Sequence, residues 1–401
     1  MLKGNAIVGQ SGGPTSVINS SLAGVVDGCR NLEQCDAVFG MRWGIEGFMK
    51  GDIVNLTAES QDAIDLLRKT PSSALGSSRH KVTDADLPVI LEQLKAYNIR
   101  TIFLIGGNDT MDTIHRVTDY AASQGYEMCG IGVPKTVDND LFGTDHTPGY
   151  ASAARYTALS VQQSGRLARD MQKVDQFVIY QSIGRDAGWL TAAGAAFKEN
   201  PQDPPHLIYT PEFVFDKDKF LADVEDAYNK FGFVSIVCGE GLKYADGTPV
   251  SASQTQDKFS NIEFGAMGGS SVALNLHKMI SDKFGWRGEF QITESLPMCA
   301  IDRAVPQDLE EAYQAGKEAA RLAGEDKTGV MVSLVRPEAG EYKCQFATAP
   351  LSDVAVHAKP MPLDYFNEAG NMVSEKFFDY IKPLIGEKPQ YAELEYKQAE
   401  K

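Results

Sequence analysis

The sequence has too little positive charge for a protein that binds polyanions over a broad surface. Its 401 residues contain 38 Lys and Arg against 54 Asp and Glu, a formal net charge of -16, and the isoelectric point is near 4.9. Nucleic acids and anionic membranes attract proteins with basic patches. The composition therefore argues against both as partners. Any bound phosphate must be held by a few local groups.

Closely spaced cysteines and long apolar runs are also missing. The six cysteines are scattered without a Cys-x-x-Cys pair, which argues against a zinc site and a disulfide framework. No stretch approaches the roughly 20 apolar residues of a membrane-spanning helix. The first residues run into a strand and a glycine turn without an apolar signal core. We expect a cytoplasmic protein with reduced thiols and no membrane segment.

The length and the alternation of apolar strands with helical stretches predict the fold class. A chain of 401 residues exceeds what one hydrophobic core usually supports. Strands that alternate with helices are typical of parallel βαβ units. We predict an α/β protein with two Rossmann-like lobes, mainly parallel sheets and an active-site cleft between the lobes. The predicted lobes are residues 1–195, completed by parts of the C-terminal region, and residues 196–335, with residues 336–401 packing back on them.

Polar loops follow several of the predicted strands. Four strands, at 5–9, 101–105, 130–134 and 177–179, are each followed by a loop with glycine or charged residues. Functional loops of parallel sheets lie at the carboxyl ends of the strands. We therefore predict that these four loops converge on one edge of one sheet. A fifth strand, at 233–238, precedes the sequence Gly-Glu-Gly.

Small residues in the first loop and charged residues in the third define the candidate chemistry. Gly12 and Gly13 precede a predicted helix, where free backbone N–H groups and the helix dipole favour an anion. A carboxylate at Asp138 is suited to deprotonating a hydroxyl, and Lys135 to stabilising a transferred phosphoryl group. Structural roles stay open, because a glycine pair is often only a turn and the Asp-Asn-Asp sequence ending at Asp140 also serves as an Asx turn or a helix cap.

The loops together resemble the phosphofructokinase family, in the same order from about residue 5 to about residue 386. The matching segments are SGGPTSVINSSLAGVV from Ser11, LGSSR from Leu75, GGNDT from Gly106, PKTVDND from Pro134, SIGRDAGWL from Ser182 and GEG from Gly239. The string PKTVDND followed by GTDHTPGY is highly specific. The resemblance implies a glycolytic phosphotransferase that acts on a sugar hydroxyl with Mg²⁺ as its cofactor.

The resemblance also implies roles for individual residues, of which Asp138 is the general base. The catalytic set is Thr136, Asp138, Asp140 and Arg185. The donor-binding set is Gly12, Gly13, Arg79, Gly107, Asp109 and Lys135. The acceptor-binding set is Thr136, Ile183, Gly184, Arg185 and Glu240. The metal-binding set is Asn108 and Asp109.

Two positions indicate the pyrophosphate-dependent type of the family. ATP-using members carry glycine at the positions of Asp109 and Lys135. A side chain at Asp109 places bulk and negative charge where the α-phosphate of ATP would lie, and Lys135 supplies a positive charge for the shorter donor. Asn108 stands where ATP-using members have a magnesium-binding aspartate. Since an amide oxygen is the weaker ligand, Mg²⁺ is expected to rely more on pyrophosphate oxygens and water.

The contacts expected for a distal phosphate on the sugar are missing. The family grips the 6-phosphate with arginines, because a doubly charged phosphate favours guanidinium partners. These positions carry Gln176, Glu289 and Met298. Each lost contact is worth roughly 1.5–3 kcal/mol, so a fructose 6-phosphate site built this way should be weakened. The alternative is a shifted alignment in which Arg287 or Arg303 takes over.

Three functions stay open. The first is transfer of a phosphoryl group from pyrophosphate to fructose 6-phosphate, giving fructose 1,6-bisphosphate. The second is the same chemistry on an acceptor without the usual 6-phosphate contacts. The third is a catalytically silent subunit that binds metabolites, against which the retained Asp138, Arg79 and Arg185 argue. The expected partners are pyrophosphate and a sugar or sugar phosphate. The resemblance alone implies a homo-oligomer, either a dimer or a tetramer.

Overall fold

A computed structural model describes residues 2–252, 270–338, 340–394 and 397–399. The strands are β1 (Gly4–Gln10), β2 (Cys35–Met41), β3 (Ile53–Asn55), β4 (Ile99–Gly106), β5 (Cys129–Pro134), β6 (Phe177–Ser182), β7 (Leu207–Tyr209), β8 (Val234–Gly239), β9 (Gly288–Ile292), β10 (Val330–Val335) and β11 (Gln345–Pro350). The helices are α1 (Ile18–Arg30), α2 (Gly44–Met49), α3 (Gln61–Leu67), α4 (Leu87–Ala96), α5 (Asn108–Ser123), α6 (Tyr150–Asp170), α7 (Trp189–Ala193), α8 (Lys217–Phe231), α9 (Val272–Phe284), α10 (Pro306–Gly324), α11 (Leu351–Val356) and α12 (Glu375–Ile385).

The strands form two sheets. The first has seven strands in the order β11-β10-β5-β4-β1-β2-β3, and the second has four in the order β7-β8-β6-β9. In the first sheet only the two outermost pairs are antiparallel, and in the second all pairs are parallel. The central strands are apolar and buried because helices cover both faces, as parallel sheets require. The predicted α/β class with two mainly parallel sheets is confirmed.

The predicted convergence of four loops on one sheet edge is wrong for the fourth loop. Strands β1, β4 and β5 are neighbours in the first sheet, whereas β6 pairs with β8 and β9 in the second. The cause is α6, whose 21 residues carry the chain from one sheet to the other. Strand periodicity does not encode this crossing. Where each lobe begins and ends along the chain stays a prediction, and residues 253–269 of the predicted second lobe lie outside the described residues.

Buried apolar residues form a layer on each face of both sheets. One cluster packs α1 and α10 against the first sheet, and another packs α4, α5 and α11 against its opposite face. In the second sheet, α6, α7 and α12 cover one face and α8 and α9 cover the other. Val137 belongs to the cluster around α6 and α7, so the loop after β5 is anchored in a core. None of the described helices combines the length and the apolar character needed to cross a bilayer.

Helices α1 and α10 approach each other more closely than side chains would allow. A Cβ atom built on Gly24 would lie 2.0 Å from the carbonyl oxygen of Tyr313, and one built on Gly316 would lie 2.2 Å from the carbonyl oxygen of Ser21. Glycine is therefore required where the two backbones cross. This crossing fixes α1, and with it the segment that follows β1.

Replacing Gly24 by alanine should lower the free energy of unfolding by about 1–3 kcal/mol, because the added methyl group must separate two backbones. Urea denaturation of both proteins would measure the loss. Lys278→Ala, on an exposed position of α9, is the control and should stay within about 0.5 kcal/mol of wild type. Equal stability of Gly24→Ala and wild type would contradict the close crossing.

Candidate active site

The loops that follow β1, β4 and β5 line a first cavity of about 540 Å³. The strands are adjacent and in register, with Gln10 beside Ile105 and Gly106 beside Pro134, so their carboxyl ends lie side by side. The lining residues are Ser11, Gly12, Gly13, Ile45, Ser78, Arg79, His80, Lys81, Leu104, Gly107, Asn108, Asp109, Thr110, Thr113, Lys135, Thr136, Asp138 and Asp140.

The glycine loop is held against the segment that carries Arg79. The N–H of Gly12 donates to the carbonyl oxygen of Ser78 at 3.2 Å, and the hydroxyl of Ser77 donates to the carbonyl oxygen of Gly12 at 2.6 Å. Gly12 has φ 75°, a conformation that glycine adopts without strain. Two segments far apart in sequence thus form one wall of the cavity.

The helix predicted after the glycine loop is present, but it does not begin at the glycines. Helix α1 starts at Ile18 with Val17 as its N-cap, so the residues from Pro14 to Val17 separate it from Gly13. The helix that begins at the cavity wall is α5, whose first residue is Asn108. Its free N–H groups and dipole favour an anion at this end of the first cavity.

Lys135 is a buried cation between the two polar walls of the first cavity. Its residue is 4% exposed, and Nζ donates a hydrogen bond to the carbonyl oxygen of Gly13 at 2.7 Å. Burial lowers the pKa of Lys135 to about 8, while the charges of Asp138 and Asp140 oppose that shift. The ammonium is therefore charged at neutral pH, where it tethers the glycine loop and faces both carboxylates.

Asp138 is a carboxylate whose proton affinity is raised by its surroundings. The hydroxyl oxygen of Thr136 accepts a hydrogen bond from the N–H of Asp138 at 3.1 Å, which fixes the turn. Burial raises the pKa of Asp138 to about 6; the charge of Asp140 adds to the shift and that of Lys135 opposes it. Burial also raises the pKa of Asp140. A carboxylate with a pKa near 6 is suited to accept a proton near neutral pH.

The loops that follow β6, β8 and β9 line a second cavity, also of about 540 Å³. Ser182 lies beside Gly239, and Gln181 beside Ile292, so the ends of these three strands meet as well. The lining residues are Gly13, Arg79, Lys135, Thr136, Val137, Asp138, Asp140, Gln181, Ser182, Ile183, Gly184, Arg185, Asp186, Ala187, Glu240, Ile292, Glu294, Ser295 and Met298.

Glu240 organises the loop that carries Arg185. Its Oε1 accepts a hydrogen bond from the N–H of Gly184 at 3.2 Å and lies 3.9 Å from Nε of Arg185. Gly184 has φ 116°, so the loop turns where only glycine is unstrained. A Cβ on Gly241 would lie 1.8 Å from the carbonyl oxygen of Arg185. The two loops of the second sheet are thus interlocked.

Six residues line both cavities and form the boundary between them. They are Gly13, Arg79, Lys135, Thr136, Asp138 and Asp140. An anion in the first cavity and a hydroxyl compound in the second would meet at this boundary, where Asp138 can take a proton and Lys135 can face developing negative charge. The arrangement can therefore support transfer of a group from one ligand to the other.

Asn108 provides an oxygen suited to a divalent cation. Its Oδ1 is buried at the wall of the first cavity and has no hydrogen-bond partner among the described residues. The described ranges contain no group of three His, Cys, Asp or Glu side chains arranged to hold a metal. Asp109 is exposed and pairs with Lys81 at 3.1 Å. The donor set fits an ion held by few protein oxygens and completed by ligand oxygens and water.

The structure brings the predicted site residues together. The donor-binding and metal-binding sets line the first cavity, and the acceptor-binding set lines the second; the roles within each set stay predictions. Lys81 lines the first cavity and Asp186 the second; neither was predicted from the sequence, although each lies within two residues of a predicted arginine. Glu294 in the second cavity was not predicted either. No local pattern marks Glu294, because only the pairing of β6 with β9 brings it there.

The three positions with missing arginines differ in location. Met298 lines the second cavity. Gln176 precedes β6 at its amino end, where it bonds to the backbone of Arg287, and Glu289 lies one residue into β9. Neither of these two residues lines the first or the second cavity, and nor does Arg287 or Arg303. The shifted alignment therefore gains no support from the described part of the chain.

The fold and the paired cavities define an α/β enzyme that transfers a group between two ligands. The chain belongs to the phosphofructokinase family, whose family model, described as Phosphofructokinase, matches residues 5–293.

Three known proteins illustrate the similarity. A pyrophosphate–fructose 6-phosphate 1-phosphotransferase of Halomonas elongata is 36% identical over 96% of this chain and 92% of its own. A sulfofructose kinase of Alkalicoccus urumqiensis is 32% identical over 87% of this chain and 88% of its own. The crystal structure of a pyrophosphate-dependent phosphofructokinase of Marinobacter aquaeolei matches with a TM-score of 0.86 at 34% identity, covering 99% of this chain and 98% of that one. The predicted family is confirmed.

Asp138→Asn should stabilise the protein at neutral pH. A pKa raised from 3.8 to about 6 means that the folded state holds the proton more tightly, so wild type loses stability as the pH rises between these values. Since one pKa unit corresponds to about 1.4 kcal/mol, and Asp138 is partly exposed, the variant should gain about 1–3 kcal/mol above pH 6. The gain should shrink below pH 6. Urea titrations of both proteins at pH 5 and pH 7.5 would measure it, and a gain independent of pH would contradict the raised pKa.

Proposed function

We propose that this chain transfers a phosphoryl group from pyrophosphate to fructose 6-phosphate, giving fructose 1,6-bisphosphate and phosphate. The observation that carries the proposal is the boundary of six residues shared by the two cavities. The names of the Halomonas and Marinobacter proteins support the donor and the acceptor. They do not favour a different acceptor or a silent regulatory subunit. The presence of the boundary residues Asp138 and Arg79 also argues against a catalytically inactive subunit.

The proposed mechanism is an in-line displacement at the boundary. Asp138, ionised above its pKa of about 6, takes the proton of the sugar hydroxyl. The hydroxyl oxygen forms a bond to one phosphorus of pyrophosphate while the bond from that phosphorus to the bridging oxygen breaks, and phosphate leaves. Arg79 and Lys135 face the charge on the transferred group from the first cavity, and Arg185 faces it from the second. Gly12 and Gly13 let the backbone approach the leaving phosphate.

The first cavity favours a short donor over ATP. Asp109 and Lys81 pair at 3.1 Å and are both exposed, so a carboxylate stands at the outer wall of the cavity. ATP is longer than pyrophosphate by a nucleoside monophosphate, whose α-phosphate would lie against that carboxylate. Lys135 supplies the positive charge at the inner wall. We infer that charge repulsion and lack of room, rather than weak attraction, exclude ATP.

Mg²⁺ is the proposed cofactor. Asn108 through its unpartnered Oδ1, and Asp109 through its carboxylate, are the residues that would hold it. When bound, the ion neutralises the charge of pyrophosphate and orients its oxygens. An amide and one exposed carboxylate are few protein ligands, which agrees with the preference of Mg²⁺ for keeping water and phosphate oxygens in its shell.

We further propose a cytoplasmic location and a homo-oligomer. The location is supported by the six cysteines, all of which are free. An oligomer is supported by β9, which lies at the edge of the second sheet among the described strands and has three exposed positions. Unpaired edge strands are commonly covered by another element or chain. The acidic composition argues against nucleic acid and anionic membranes as partners.

Purified protein assayed with pyrophosphate, fructose 6-phosphate and Mg²⁺ tests the proposed function. Phosphorus NMR should show fructose 1,6-bisphosphate and phosphate forming together. Asp138→Asn should reduce kcat by roughly 10²–10⁴-fold, the usual contribution of a general base, whereas Lys278→Ala should turn over like wild type. Parallel reactions with fructose and with sulfofructose test the acceptor. Turnover restricted to either of those, or equal use of ATP, would contradict the proposal.

Met298→Arg should lower the KM for fructose 6-phosphate. Met298 lies in the second cavity, with its Cε atom 2.6 Å from the point where a Cβ on Gly13 would stand. A guanidinium there adds one charge-assisted contact to the sugar phosphate, worth roughly 1.5–3 kcal/mol, or about 10- to 100-fold in KM. The measurement is steady-state kinetics at saturating pyrophosphate.

Two controls accompany this variant. Met298→Leu keeps the cavity apolar and should leave the KM close to that of wild type. Met171→Arg adds the same charge at an exposed position outside both cavities. If Met171→Arg lowered the KM as much as Met298→Arg, net charge rather than a local contact would be responsible.

A further inference from the structure

We propose that Lys359 is a positioning residue that holds the Asp138–Asp140 turn in its catalytic geometry through Asn139. This inference deepens the proposed function and rests on it. Lys359 lies in the segment between α11 and α12, more than two hundred residues after the turn that it contacts. It lines neither cavity. It contacts the turn through Asn139 and Asp140.

Asn139 is the fixed point of the turn. It is fully buried and has φ 56°, a left-handed conformation that is uncommon outside glycine and persists where surrounding contacts impose it. Its Oδ1 accepts from the N–H of Thr147 at 3.1 Å and from Nζ of Lys359 at 3.3 Å. Its Nδ2 donates to the phenol oxygen of Tyr380 at 2.8 Å. Contacts from three separate segments therefore hold its side chain amide.

Lys359 binds the turn with its backbone as well as its side chain. Its N–H donates to the carbonyl oxygen of Asp140 at 2.7 Å. Its Nζ donates to the carbonyl oxygen of Asp145 at 2.7 Å and to that of Thr144 at 3.3 Å, besides Oδ1 of Asn139. An ammonium has three protons, and three oxygens accept from this one. A neutral amine would leave one of these contacts unmade.

The charges around Lys359 come from several elements. Asp140 and Asp145 favour its ammonium form, and Arg336 opposes it. The ring of Trp189, in α7, lies 4.9 Å from Nζ and also favours a cation. Burial is the largest effect and lowers the pKa of Lys359 to about 7. The ammonium is thus present below about pH 7 and is lost as the pH rises.

Because Asn139 lies between the two carboxylates in sequence, the contacts that restrain it also restrain Asp138 and Asp140. Asp138 and Asp140 both line the boundary of the cavities, and the left-handed residue between them sets the direction of each. Without the ammonium, the turn loses one of the contacts that offset its strain. Asp138 then spends less time in reach of the hydroxyl. Among the described residues, the hydrogen bonds of Lys359 do not reach the glycine loop or Arg79, so we expect the proposed donor-binding groups to keep their positions.

Lys359→Met removes the ammonium while keeping a side chain of similar length. At pH 6.5 and saturating substrates we expect kcat to fall at least 10-fold, with the KM for pyrophosphate within about 3-fold of wild type. Lys388→Met is the matched control, because Lys388 pairs with Glu199 at the surface; it should retain the kcat of wild type. A fall in kcat below 3-fold, or a matching rise in KM, would overturn the proposal.

The pH profile of kcat separates positioning from a general loss of structure. In wild type, kcat should decline above about pH 7 as Lys359 loses its proton. The Lys359→Met profile should lack this decline, leaving any loss near pH 8 to Lys135, whose pKa is lowered to about 8. Identical alkaline declines in wild type and variant would overturn the role of the Lys359 ammonium.

A second variant covers the case in which Lys359→Met does not fold. Tyr380→Phe removes only the hydroxyl group, which accepts from Asn139 and donates to the carbonyl oxygen of Asp145 at 2.9 Å. It should lower kcat 3- to 10-fold while keeping the alkaline decline near pH 7. An unchanged kcat in Tyr380→Phe would contradict the restraint on Asn139. Absence of turnover in wild type would instead contradict the proposed function. The two failures are therefore distinguishable.

Discussion

The buried ammonium of Lys135 is the interaction on which both cavities depend. It faces the carboxylates of Asp138 and Asp140 and donates to the carbonyl oxygen of Gly13, so it joins the loop after β1 to the loop after β5. Burying an unpaired charge is costly, and two neighbouring carboxylates would repel each other without a cation between them. In a chain with a net charge of -16, Lys135 and Arg79 supply the local positive charge at the boundary that the two cavities share.

The fold was largely predictable where local patterns decide it. Apolar runs marked β1, β4 and β5 to within two residues, and the loops after them were correctly placed side by side, because adjacency of parallel strand ends follows from βαβ connections. The sheet to which β6 belongs was not predictable, since a strand of either sheet has the same apolar pattern. Glu294 was missed for a related reason: its place in the second cavity depends on pairing between β6 and β9, which periodicity does not reveal.

The family resemblance predicted part of the candidate site. It supplied many residues of both cavities, including Arg79, which no strand pattern would have selected. For the acceptor, the resemblance predicted which positions should carry arginines, but not where those positions lie relative to the second cavity. Gln176 and Glu289 lie near the amino ends of β6 and β9, away from the cavities of their own chain. Met298 alone among the three changes the chemistry of the second cavity, from a charged wall to an apolar one.

The contacts behind the catalytic turn also bear on how the protein is made. Asn139 forms hydrogen bonds with Lys359 and Tyr380, which lie 220 and 241 residues later in the chain. Strands β10 and β11 of the first sheet also follow β5 in the sequence. During synthesis on the ribosome, β1 to β5 emerge long before these partners exist. The nascent chain therefore carries every residue of the predicted donor-binding set without the support that shapes the turn. Acquisition of activity should thus be one of the last events of biosynthesis, and fragments released early should be inert toward the cellular pools of phosphate donors.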